Sequence, residues 1–222
     1  MNQKRAIKAL IFDVGGVLSL GKYTHPGIRE HHLLGVHHYV ASSLNIDLDA
    51  WFDAIDNVYS KSIEGKIQKN KALKIIADNL NISVKRLKNL FTIAYKKHFK
   101  KNTELLYLIH KLKNNGYKIG ILSDQWYLSK DALINKKDFA DFNPIIVSCD
   151  VGMRKPNPKI YKLLIKKLKL KPLEILFTDN REWNLKAARK LGIKTILFKN
   201  NDQFIRELMT LGVFNEKKQE DQ

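Results

Sequence analysis

The chain has 222 residues, enough for one sizeable core or for a core with an inserted lobe, and it needs no covalent staple to fold. Its formal net charge of +18 comes largely from scattered lysines, a pattern of solvated faces that attracts anions at long range but carries no motif for reading DNA or RNA. No apolar run approaches the ~18 residues that a membrane span requires, and a single cysteine, Cys149, allows no internal disulfide and points to a reducing cytoplasm.

In chain order, Ala9, Leu10, Ile11 and Phe12 form a short apolar run of the kind expected for a strand buried on both faces. Asp13 stands where that strand ends. Gly15 and Gly16 follow, and glycine permits the positive φ angles and close backbone approach of a tight turn. Ligands of open parallel sheets bind outside the carboxyl ends of the strands, so Asp13 is a candidate for the cleft; the plainer alternative is a turn-capping side chain. Ser19 to Pro26 reads as a polar connection. From Ile28 to about Asn102 the pattern is helical, with breaks at Asn45 to Asp47, Glu64 to Gln68 and Asn79 to Ser83. Apolar residues there recur at spacings of three and four, as in Leu44, Leu48, Trp51, Phe52 and Ile55, predicting a small antiparallel bundle in which Ser83 caps a helix.

After Thr103 the pattern changes. A helix from Thr103 to Asn114 stops at Asn115-Gly116, and Tyr117 to Leu122 is an apolar strand that finishes at Ser123. Ile145 to Val147 is a third strand, Ser148 to Pro158 a loop, and Lys159 to Leu170 a helix. Leu173 to Phe177 is a strand ending at Thr178-Asp179, followed by a helix over Asn184 to Leu191 and a strand over Lys194 to Phe198. Alternation of this kind implies right-handed crossovers and a parallel sheet. The expected fold is therefore α/β: a three-layer, Rossmann-like parallel sheet core made of residues 1–20 and 103–214, with an inserted α-helical bundle over 21–102 and a disordered charged tail over 215–222.

A parallel sheet of this order brings Asp13, Ser123, Lys155 and Asp179 to one edge. In their order and spacing, FDVGGVL, GILSD, GMRKPNPKIY and LFTDNREWNLKAARKLGI resemble the four motifs of the haloacid dehalogenase superfamily of aspartate-nucleophile hydrolases. The insertion after the first motif is similar to the helical cap of one subgroup. Closest in appearance is the phosphatase-like branch that includes sugar-phosphate phosphatases and the phosphatase domain of soluble epoxide hydrolases. The resemblance implies an Mg²⁺-dependent phosphatase acting on a small phosphorylated metabolite. Asp13 would be the nucleophile that forms an aspartyl-phosphate. Ser123 would hydrogen-bond a phosphoryl oxygen, or simply close a strand-end turn. Lys155 would balance charge, its backbone fixed by Pro156 and Pro158. Asp13, Asp179 and the Gly15 carbonyl would hold Mg²⁺.

Two positions depart from that pattern. Gly15 stands where phosphatases of the family usually carry a second aspartate, the general acid and base, and Asn180 stands where a second acid often follows Asp179. Losing a general acid and base typically forfeits about 10²–10⁴ in rate. The rival readings are a metal-independent dehalogenase and a non-catalytic phospho-ligand binder. His31, His32, His37 and His38 are candidates for a replacement acid or a metal cluster, against the plainer reading of partly buried polar residues. Tyr23, His25, Trp51 or Tyr59 could reach the cleft from the insertion, and Trp126 and Tyr127 either line its entrance or only pack.

Overall fold

The structure, a computed structural model, describes residues 6–22, 31–135 and 137–214, and of residues 31–34 only the backbone. Strand β1 (Ala9–Phe12) leads through a tight turn to β2 (Ser19–Gly21). Four helices follow: α1 (His31–Leu44), α2 (Leu48–Ile63), α3 (Lys69–Asn79) and α4 (Val84–His98). Asp47 and Ser83 cap α2 and α4 through side-chain oxygens, as short polar residues do at helix starts. Strand β3 (Phe99–Lys101) then returns antiparallel to β2. The remaining elements are α5 (Thr103–Asn114), β4 (Lys118–Ser123), α6 (Tyr127–Leu133), β5 (Ile145–Val147), α7 (Ser148–Val151), α8 (Pro158–Leu168), β6 (Ile175–Asp179), α9 (Glu182–Arg189), β7 (Lys194–Leu197) and α10 (Asn201–Thr210).

The main sheet has the order β5-β4-β1-β6-β7 and is parallel throughout, with β1 at its centre. Alternation along β1 sends Leu10 and Phe12 to one face, where they meet Ile121, Leu176, Leu105, Ile109, Phe204 and Leu208 of the strands, α5 and α10. Ala9 and Ile11 face the other way, against Phe177, Ile160, Leu164 and Leu185 of β6, α8 and α9. These are the three layers. A third apolar cluster fills the helical insertion around Trp51, Ile76, Leu87 and Phe91, and continues into Trp126, Tyr127 and Leu128 of α6 and its approach. The insertion is thus packed onto the sheet-bearing part by a continuous core, not tethered by its two connections alone.

Several expectations need correction. The Ser19 to Pro26 connection begins as β2, whose partner β3 lies at the far end of the insertion; neither Ser19–Gly21 nor Phe99–Lys101 has the unbroken apolar run that marks Ile145–Val147 in sequence. The Ser148 to Pro158 loop opens with α7, and α10 was not anticipated at all. The fourth strand starts later than expected, at Ile175, because Pro172–Glu174 forms a 3-10 turn. Tyr23, His25, the side chains of His31 and His32, and the tail 215–222 lie outside the described residues. The lysines of the two clusters, Lys96, Lys97, Lys100, Lys101 and Lys162, Lys166, Lys167, Lys169, Lys171, are exposed, as solvated faces should be.

Asn102 ties these parts together. It caps α5 by accepting from the Leu105 N–H, and its side-chain amide donates to the Val17 carbonyl at 3.0 Å and to Asn201 Oδ1 at 2.8 Å, all while 3% exposed. Asn102→Ala removes a cap and strands buried polar groups, so it is expected to lower stability by about 1–3 kcal/mol. Urea unfolding followed by circular dichroism measures this; a midpoint equal to that of the wild type would contradict the assignment.

Candidate active site

Strands β4 and β6 end in Ser123 and Asp179, and between them Asp13 directly follows β1, its N–H donating to the Thr178 carbonyl of β6. Lys155 enters from the loop before α8. Its Nζ lies 3.1 Å from Asp13 Oδ1 and 2.6 Å from Asp179 Oδ2, and it is 2% exposed. The structure therefore brings all four predicted strand-end residues together. Asp13 Oδ1 also accepts from the Val14 N–H at 2.8 Å, and Ser123, completely buried, accepts from Gln125 Nε2 at 3.0 Å and favours the charged form of the Asp13 carboxyl. Asp179 Oδ1 accepts from the Arg181 N–H at 2.8 Å and Oδ2 from Asn184 Nδ2 at 3.0 Å. Lys155 is itself positioned from β4, because its backbone N–H donates to Asp124 Oδ1 at 3.0 Å.

The charges do not cancel. One ammonium serves two buried carboxylates, which leaves a surplus negative charge away from water. Burial pushes the Asp13 carboxyl up to about 6, with the Asp179 charge adding to the rise and Lys155 and Ser123 opposing it. Burial also raises Asp124. Desolvation works against the charge on Lys155, but Asp13, Asp179 and Asp124 outweigh it and hold the ammonium well above its ordinary range.

The two glycines after Asp13 differ from each other. Gly16 has φ of +79°, and a Cβ there would stand 2.2 Å from Asn180 Nδ2, so both the turn and the contact with β6 require glycine. Gly15 has no positive φ, and a Cβ there would meet nothing within 4 Å. Asn180 Oδ1, pressed against this turn, is buried without a hydrogen-bond partner. Among the described residues no cluster of three or more His, Cys, Asp or Glu is found. The oxygens at hand are the carboxylates of Asp13 and Asp179, the Gly15 carbonyl and the orphaned Asn180 Oδ1. An all-oxygen set carrying surplus negative charge fits a hard cation such as Mg²⁺, and Asp179 Oδ1, with one donor on it, keeps a lone pair for one.

Above these groups lies a cleft of about 210 Å³. Its walls include Asp13, Gly15, Asp124, Lys155 and Asn180 from the sheet side, and Tyr59 of α2 and Tyr95 of α4 from the insertion. Trp126 lines it too while remaining 3% exposed, so this residue both packs and borders the cleft. Tyr127 is a packing residue whose hydroxyl donates to the Ile67 carbonyl at 2.6 Å. Trp51, expected as a cleft candidate, is wholly buried inside the insertion, where its Nε1 donates to His37 Nδ1 at 2.9 Å. His37 is thereby a neutral packing residue, pushed down to about 4 by burial and by His38, and neither His37 nor the exposed His38 lines the cleft. Cys149 is buried, and burial raises its thiol to about 12, which suits a packing role rather than a nucleophile. Sequence reasoning missed Tyr95, Arg154, Arg181 and Trp183, which also border the cleft.

Known proteins share this arrangement of motifs. The haloacid dehalogenase-like hydrolase family profile matches residues 7–192. The chain is 28% identical over 227 aligned residues to bifunctional epoxide hydrolase 2 of Sus scrofa, covering 91% of this chain and 38% of that protein, so it spans well under half of that relative's length. It is 34% identical over 95 residues to glyceraldehyde 3-phosphate phosphatase of Pyrococcus furiosus, covering 40% of this chain and 38% of that one. Among solved structures, a HAD family enzyme from Bacteroides thetaiotaomicron superposes with a TM-score of 0.64 at 25% identity, covering 87% of this chain and 94% of that one. The same enzyme has been solved with magnesium and inorganic phosphate.

The raised Asp13 carboxyl has a consequence for stability. Because its folded pKa of about 6 exceeds the unfolded value of 3.8, its contribution is most favourable below pH 4 and is lost as pH rises through 6. In chelator-treated protein at pH 7.5, Asp13→Asn is expected to be more stable than the wild type by about 1–3 kcal/mol, the gap closing as pH falls from 6 to 4. Paired urea titrations across that range check this; a wild type equal to or more stable than Asp13→Asn at pH 7.5 would contradict it.

Proposed function

The chain belongs to the haloacid dehalogenase-like hydrolases, and on that footing we propose that it is an Mg²⁺-dependent phosphatase of a small phosphorylated metabolite, with Asp13 as nucleophile. The observation that supports this reading most is the single ammonium of Lys155 shared by Asp13 and Asp179 at the bottom of a cleft. Similarity to glyceraldehyde 3-phosphate phosphatase, and to flavin mononucleotide hydrolase 1 of Arabidopsis thaliana, points to a phosphomonoester. We take residues 1–20 and 103–214 as the catalytic core and 21–102 as the cap that closes over the substrate.

In this mechanism the phosphoryl group lies against Ser123, whose hydroxyl donates to one of its oxygens, and against the Lys155 ammonium. Asp13 attacks phosphorus, a new P–O bond forms to its carboxylate, and the bond to the leaving alkoxide breaks. Water then attacks the aspartyl-phosphate, releasing phosphate and regenerating Asp13. Bound at Asp13, Asp179, the Gly15 carbonyl and Asn180, Mg²⁺ would offset the negative charge that collects between carboxylate and phosphoryl oxygens. The rise in the Asp13 pKa reflects burial without an ion; a cation beside it favours the ionised, nucleophilic form. Tyr59, Tyr95 and Trp126 exclude bulk water from the reacting atoms.

Gly15 leaves no side chain to protonate the alkoxide or activate the water, so solvent protonates the alkoxide in the first step and takes the proton of the attacking water in the second, and the enzyme favours leaving groups of low pKa. Phosphate release from p-nitrophenyl phosphate is expected to require Mg²⁺ and to fall at least 10³-fold in Asp13→Asn; turnover that survives chelator would point to dehalogenase-like chemistry instead. Because the space beside Gly15 is open, Gly15→Asp is expected to raise kcat on alkyl phosphates, by up to about 10²-fold. No gain on an alkyl phosphate, with folding intact, would show that acid catalysis comes from elsewhere.

A further inference from the structure

The groups that would handle one phosphoryl unit do not use up the positive charge of the cleft. Its walls carry Lys155, Arg154 and Arg181 against the carboxylates of Asp13 and Asp124, with the buried Asp179 behind Lys155 and Glu64 acting on Arg154 from the end of α2. Lys155 is committed to Asp13 and Asp179. Arg154 Nε lies 3.8 Å from Asp124 Oδ2, beyond hydrogen-bond distance, while the other oxygen of Asp124 is taken by the Lys155 N–H. The Arg181 guanidinium has no carboxylate within ion-pair distance among the described residues. It sits instead 5.2 Å from the centre of the Trp183 ring, and Trp183, 56% exposed, forms part of the cleft wall. Both Arg154 and Arg181 border the cleft together with Tyr59, whose phenol their charges hold below the rise that burial imposes on it.

We infer that Arg154 and Arg181 form a second anion subsite, and that the substrate is a phosphomonoester whose organic part carries a further carboxylate or phosphate. The inference rests on the phosphatase reading and specifies its substrate class. Guanidinium is the side chain suited to binding a carboxylate or phosphate through paired N–H donors, and stacking on Trp183 holds one long, flexible cation in place ready to do so. At about 210 Å³ the cleft falls below the ~300–1,000 Å³ of sites for drug-sized ligands, so the organic part between the two anions is short. Arg181 is doubly placed for this role, since its backbone N–H orients Asp179 while its side chain faces the cleft.

The experiment compares matched pairs in Mg²⁺: glycerol 3-phosphate with 3-phosphoglycerate for a carboxylate, and propane-1,3-diol monophosphate with propane-1,3-diol bisphosphate for a second phosphate. The expected result is at least a tenfold preference in kcat/KM for the doubly anionic member of one pair. Which pair responds identifies the second group. Arg154→Gln and Arg181→Gln should each reduce that preference several-fold, chiefly through KM, with Arg181→Lys recovering part of it. Calorimetric binding of the same four compounds to Asp13→Asn gives the ranking without turnover. Equal handling within both pairs, or a ranking unchanged in the two Gln variants, would overturn the subsite and leave the phosphatase reading standing. A ranking seen in binding, with no turnover by the wild type of these compounds or of p-nitrophenyl phosphate, would sink the phosphatase reading and leave the subsite intact.

Discussion

A buried ammonium shared by two carboxylates is the constraint on which the rest of this structure depends. Isolated in the protein interior, any one of Lys155, Asp13 and Asp179 would cost several kcal/mol. Together they are tolerable, and only a parallel sheet with β1 between β4 and β6 lets residues so distant in sequence meet. The grouping still carries one more carboxylate than ammonium, and burial holds the Asp13 carboxyl above its ordinary range. That imbalance suits a cation, and in the proposed mechanism a bound cation would offset it and let an anion enter beside Lys155. Stability is given up where binding is wanted, a common trade at functional sites.

The parts of this arrangement legible in sequence were those fixed by short-range pattern and topology. Ala9 to Phe12 announces a buried strand by its unbroken apolar run, and the rule that ligands gather at strand carboxyl ends then singles out Asp13, Ser123 and Asp179. Lys155 became legible through its place between Pro156 and the motif around it. What stayed hidden depends on long-range contact. Strands β2 and β3 have three residues each and exist because they pair across the whole insertion. Helix α10 did leave a signal, Asn200 as cap with Phe204 and Leu208 four apart, and the expectation simply stopped short of it.

Cleft aromatics show the same division. Trp51 and Tyr59 both lie on α2, and the residues buried along that helix, Trp51, Ala54, Ile55, Val58 and Ser62, define the face turned into the insertion. Tyr59 lies off that face and borders the cleft. Helical periodicity identifies a buried stripe, but it does not tell which edge of the stripe looks onto a neighbouring sheet. Arg154, Arg181 and Trp183 carried no local pattern, being exposed residues in a chain rich in exposed cations, and only the fold distinguishes them from surface. The pair Gly15-Gly16 read alike in sequence and proved different in space: one is required by its backbone angle and by Asn180, the other leaves a vacancy beside the nucleophile.

That vacancy also shapes the kinetics. In the proposed mechanism, the lack of a side chain to activate water would slow breakdown of a phosphorylated Asp13 along with its formation, so an intermediate formed from a good leaving group should accumulate. The most direct measurement is an acid quench of the wild-type protein during turnover of a radiolabelled activated phosphomonoester with Mg²⁺, followed by peptide mass spectrometry. The account predicts one phosphoryl group on the peptide carrying Asp13, rising before phosphate appears and decaying as it is released. Steady phosphate release with no protein-bound phosphoryl group at the earliest quench, or with the group on a different residue, would contradict it.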